Sequence, residues 1–167
     1  MRRHSSRGRG VILGAHGLRI ELPARWTGRV FRRPGGNATL HAGDFQLALN
    51  DGEFGDASTG RMPHGASFIA LTEYIPGAGL HAGHGLFAPR RIALPLEPRM
   101  FAASRLAHPH RGQAGAQQFF TTRGRPFCLY VVLAGGGAQR RRQLPVLDRI
   151  LRSVRIEAAG GGGAGTP

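Results

Sequence analysis

Phe127 to Ala134 is an unbroken apolar run, rich in aromatic and β-branched residues and bounded by Pro126 and Gly135. Such a run predicts a strand buried on both faces. Gln117 to Thr122, just before it, is strand-like as well. Arg123-Gly124-Arg125 lies between the two, and Gly124 can take the positive φ that a tight hairpin needs. Pro126 has no N–H to give a ladder, so it belongs at a strand start. A strand with two buried faces needs a neighbour on each edge and a layer above and below.

Leu18, Ile20 and Leu22 alternate with Arg19 and Glu21, the period of a half-buried strand. Val11 to Leu13 is placed to pair with it through the turn at Gly14–Gly17. Trp26–Phe31, Thr39–Phe45, Phe68–Ile75 and Met100–Leu106 read as further strands, and Asn50–Gly60 as a loop. Residues 86–100 carry three prolines, which argues against a long helix there. Leu144, Leu147, Ile150, Leu151 and Val154 fall on one side of a helix. Pro145 suits its first turn, and Arg149 and Arg152 share its outer face. Mostly sequential antiparallel strands followed by one late helix predict an α+β fold, an antiparallel sheet covered by helices.

The 167 residues make one ordinary domain. Residues 1–10 are expected to be a disordered basic arm, 11–157 the domain, and 158–167 a flexible Gly-rich tail. No apolar run approaches the roughly 20 residues of a membrane span. The basic start is followed by Val11-Ile12-Leu13, shorter than the roughly 7–15 apolar residues of an export signal, so the expected location is cytoplasmic. The single Cys128 forbids an internal disulfide, in keeping with a reducing compartment.

Charge changes the picture more. Every basic residue except histidine is arginine, and 23 of them against nine acids give a net +14. Residues 11–157 hold nineteen of the arginines and all nine acids, a net +10, so the charge belongs to the domain too. Codon bias explains arginine in place of lysine; it does not explain the shortage of acids.

Candidate chemistry is sparse. Without lysine there is no P-loop, Schiff-base or kinase lysine. No G-x-S-x-G elbow and no G-x-G-x-x-G after a strand is present. His81, His84, His108 and His110 are candidates for a metal cluster if their loops meet; the plainer reading is solvent-exposed loop histidines, since no acid or cysteine adjoins either pair in sequence. Asp51, Glu53 and Asp56 share a loop without calcium-loop spacing and read as turn residues. Cys128 sits in the buried run and reads as core. Arg140, Arg141, Arg142, Arg149 and Arg152 are candidates for a polyanion-binding patch on the late helix, because guanidinium groups match phosphate.

Three stretches together resemble the Mog/PsbP-like fold family. They are Ile20-Glu-Leu-Pro-Ala-Arg-Trp26, the Gly-turned hairpin Thr122-Arg-Gly-Arg-Pro-Phe127, and the ending Leu144-Pro-Val-Leu-Asp-Arg-Ile-Leu-Arg-Ser-Val154. The resemblance implies an α/β/α sandwich over residues 11–157, of the kind found in uncharacterised bacterial proteins. It also implies a non-catalytic binding or accessory role with a protein partner and no cofactor. Weak, non-specific binding of nucleic acid or another polyanion through the arginines is the alternative expectation, and a histidine-dependent metal or small-molecule site the third.

Overall fold

The computed structural model describes residues 10–160 except Arg33 and Ala78. Most of the expected arm and tail therefore lie outside the described residues. The strands are β1 (Val11–Ala15), β2 (Leu18–Leu22), β3 (Thr27–Arg32), β4 (Ala38–Gly43), β5 (Ser67–Glu73), β6 (Gln113–Thr122), β7 (Arg125–Ala134) and β8 (Arg155–Ile156). The α-helices are a single turn, α1 (Asp56–Thr59), and a long one, α2 (Gly137–Arg152). They build a five-stranded sheet in the order β3-β4-β5-β7-β6 and a three-stranded sheet in the order β1-β2-β8, every pair antiparallel.

The apolar run is β7, buried at all ten positions and flanked by β5 and β6. Thr122 pairs with Arg125, and the two residues between them take φ of 48° and 75°. Two successive positive φ values make the mirror-image turn whose twist matches that of a hairpin. The β1–β2 hairpin turns the same way at His16 and Gly17. On β2, Leu18, Ile20 and Leu22 point inward and Arg19 and Glu21 outward, following the alternation in sequence.

One face of the large sheet packs against Leu144, Leu147, Ile150 and Leu151 of α2 and the inward leucines and isoleucine of β2. The small sheet packs tightly over Gly28, where a Cβ would stand 2.8 Å from the Leu13 side chain and 2.9 Å from the Leu22 side chain. Helix α2 begins at Gly137, so Pro145 lies mid-helix on the exposed side, well past the first turn where the sequence suggested it. Gln139 and Arg140–Arg142, good helix formers, carry the helix back to the glycines. Ser153 ends it: its hydroxyl oxygen accepts the Glu21 N–H at 2.9 Å, joining the helix end to β2.

The opposite face corrects the α/β/α expectation. No second helical layer covers it among the described residues. Phe68, Ala70, Tyr130 and Val132 are covered instead by Phe45, Leu47, Phe54, Met62 and Leu106, from loops and short turns. The described residues are thus mostly β, with two antiparallel sheets and one helix longer than a single turn among them. The physical reason is the density of glycine and proline between β4 and β6, which denies a helix its length. Met100–Leu106, expected as a strand, begins at the end of one three-residue helical turn, Pro98–Met100, contains a second, Ala103–Arg105, and pairs with β6 only through the bridge of Ala102 to Gly115.

Side chains satisfy the backbone of this irregular cover. Asp51 caps α1, its carboxylate accepting the N–H groups of Gly52, Ala57 and Ser58 at 2.9 Å each. Burial works to raise its pKa. The hydrogen bonds from Ser58, Ala57 and Gly52 outweigh that and hold the carboxyl below the ordinary 3.8. Replacing Asp51 with alanine is expected to cost about 1–2 kcal/mol. Because the folded pKa is the lower one, this stability is present above the ordinary value and is lost as pH falls through the folded value. Urea unfolding of wild type and Asp51→Ala should show the gap narrowing as pH falls below the ordinary carboxylate value. A gap that stays constant into acid contradicts the assignment.

Candidate functional site

Strand β6 is an edge of the large sheet, and the segment from Gly83 to Leu96 is laced along it. The Thr121 N–H donates to the Pro89 carbonyl at 2.7 Å, and the Thr121 hydroxyl donates to the Phe87 carbonyl and accepts the Gly83 N–H, both at 2.8 Å. The Gln118 amide exchanges hydrogen bonds with the Ala93 backbone at 2.7 and 3.2 Å. Phe87 adds edge-on contacts with Phe119 and packs on Tyr74. At the far end the Leu96 N–H donates to Asp148 of α2 at 2.7 Å. This lacing closes a sheet edge that is otherwise open to pairing. It also holds Arg90 and Arg91 beside the tip of the β6–β7 hairpin.

Two grooves open there and share Thr122 and Arg123. The first, about 320 Å³, has an apolar floor of Ile92, Leu94, Phe120, Leu151, Val154 and Ile156, with Arg91, Arg123 and Arg155 at its rim. The second, about 350 Å³, is lined by Gly83, His84, Arg90 and the hairpin tip. Among the described residues no carboxylate lines either groove. Elsewhere Asp44, Asp51 and Asp148 accept backbone N–H groups, and Glu73 and Glu97 pair with arginines. Five of the nine acids are thus engaged elsewhere, and the arginines lining these grooves leave a local excess of positive charge.

Arg155 is held in place, its Nη1 donating to the carbonyls of Arg152 and Val154 at 2.8 and 2.9 Å. Across the β2–β8 pair it stands directly opposite Arg19, and both are exposed. Like charges directly opposite on a sheet repel. A bound anion would relieve that repulsion.

The five arginines singled out on the helix do not form one patch. At about 100° per residue, Arg141, Arg142, Arg149 and Arg152 fall within a sector of about 100° on the outer face, and all four are exposed. Arg140 turns to the other side and is half-buried. Arg149 shares its cleft with Glu21. Arg155 Nη1 reaches back to the Arg152 carbonyl, so the end of α2 adjoins the first groove, but Arg141, Arg142, Arg149 and Arg152 line neither groove. Sequence reasoning missed Arg91, Arg123, Arg155 and Arg19 as a group, because they come from four segments. The Arg90-Arg91 pair was the only local signal.

The four candidate histidines separate into two sites. His84 lies by the second groove and His81 with it in an adjoining loop cleft. His108 and His110 sit on the far side of the sheet, each with a ring nitrogen 3.5 Å from the same oxygen of Asp56. Asp56 is the acid that sequence proximity did not reveal. Among the described residues no group of three or more His, Cys, Asp or Glu is arranged to hold a metal ion. Asp51, Glu53 and Asp56 diverge: Asp51 caps α1, Glu53 offers its carbonyl to His41 and Thr72, and Asp56 faces the histidines. Cys128 is fully buried in β7, and burial pushes its thiol up to about 12, an inert core position. No helix is long and apolar enough to cross a membrane among the described residues.

Comparison with known proteins finds no matching family model, no matching curated protein and no matching solved structure.

Proposed function

We propose that this protein binds phosphate-bearing polyanions, nucleic acid foremost, through the arginine face centred on Arg91, Arg123 and Arg155. One observation carries the reading: arginines distant in sequence converge on two joined grooves that no carboxylate among the described residues lines. Guanidinium groups pair with phosphate through two parallel N–H bonds, and the net charge draws polyanions toward the surface from a distance. The expected protein partner has less to support it, since the exposed large apolar side chains Val11, Ile12, Leu49, Ile75 and Leu86 belong to four separate segments.

The test is binding of the full chain to random-sequence nucleic acid, duplex and single-stranded, across a salt series. For at least one probe, binding should persist near physiological salt with a log–log slope of several phosphate contacts, about 0.7–0.9 per contact. Loss of all binding by about 0.1 M salt would mark the charge as general surface electrostatics and overturn the reading.

A further inference from the structure

We infer that the polyanion is single-stranded and that an unstacked base seats in the apolar groove at the end of α2. The inference rests on the polyanion reading and narrows it. Phosphate recognition alone has no use for an apolar floor. A duplex contacted through its backbone keeps its bases stacked inside and offers phosphate and sugar to the surface. A single strand differs, because each nucleotide places a flat, largely apolar base beside a charged phosphate. The groove has that same juxtaposition. Ile92, Leu94, Val154 and Ile156 are only half-buried and present apolar surface to solvent, while Arg91, Arg123 and Arg155 stand at the rim.

The size agrees. About 320 Å³ lies at the lower end of clefts that hold small molecules, enough for one base and too small for a helical groove edge. The rim also suits a base. Guanidinium planes stack on unpaired bases while their N–H groups reach phosphate. Arg155 is already fixed by its two carbonyl bonds, so less side-chain freedom is lost when it engages. Thr122 also lines the groove.

The experiment is fluorescence anisotropy on the full chain with three probes at one ionic strength near physiological: a short oligothymidylate, an abasic oligonucleotide of the same length, and a duplex of that length. Wild type should bind the oligothymidylate about tenfold more tightly than the abasic strand, whose phosphates are the same. It should also prefer it to the duplex. Replacing Ile92 and Leu94 together with alanine should remove that preference for bases. Equal affinity of wild type for thymidylate and abasic strands overturns the inference while the polyanion reading stands. That comparison needs no variant, so a misfolded mutant cannot obscure it. Failure of all three probes to bind overturns both.

Discussion

Replacing Arg125 with alanine will cost the fold about 3–5 kcal/mol, the largest stability loss expected from any single polar side chain in the protein. Arg125 is 5% exposed. Its Nε and Nη2 donate to the two oxygens of Glu73 at 2.8 and 2.7 Å, a bidentate pair. Nη1 donates to the Glu157 carbonyl at 2.9 Å, and Nη2 to the His16 carbonyl at 3.1 Å. These carbonyls belong to the β1–β2 turn and the segment after β8, so one guanidinium fastens the small sheet to the large one. Truncation leaves the largely buried Glu73 carboxylate without its partner and the carbonyls without their donor. For a chain of this length the melting temperature should fall by roughly 6–20 °C, read by circular dichroism. Arg125→Lys keeps the charge and loses the fork, so it should recover only part of the loss. Replacing Arg125 and Glu73 together with apolar residues should be milder than Arg125→Ala, because no buried charge is then left alone. A melting temperature unchanged in Arg125→Ala contradicts this role.

The second large effect is on binding. Changing Arg91, Arg123 and Arg155 together to alanine should weaken binding to single-stranded nucleic acid by about 100-fold near physiological salt. The log–log salt slope should become shallower by about 2, as three contacts at about 0.7 each are lost. The control is Arg61, Arg105 and Arg111 changed to alanine. These are exposed arginines of turns and a short helical turn, outside the two grooves, and their removal lowers the net charge by the same amount. Binding in this control should stay within about threefold of wild type. Equal losses in the two triple variants would show that total charge, not the arginine face, drives binding.

The parts of this fold that could be read in advance are those whose signal is local. β7 announces itself by a long apolar run, β2 by strict alternation, and α2 by five apolar residues on one side. Each pattern is set by the geometry of its own element. What covers the sheet was not legible in this way. The loops between β4 and β6 have no period; their prolines spoke against a long helix without showing what would cover the sheet in its place. β8 has two residues, too few for an alternation. Met100–Leu106 has strand-like residues but pairs with its neighbour only through a single bridge. Arg125 reads locally as a turn residue beside Gly124; its partner Glu73 lies 52 residues away. The candidate site hides for the same reason. Arg91, Arg123 and Arg155 become neighbours only after the Gly83–Leu96 segment is laced onto β6 and Ser153 ties the helix end to β2. Arginine content showed that a basic face was available, and chain topology determined where it formed.

The most direct test of the central claim is amide chemical-shift mapping of the isotopically labelled protein during titration with a short oligothymidylate. Signals of Ile92, Thr122, Gly124, Val154 and Ile156 should move together and saturate at one common affinity, with the arginine side-chain N–H signals of Arg91, Arg123 and Arg155 following them. Shifts centred on the Asp56–His110 side of the sheet, or spread thinly over all exposed arginines, would contradict the account.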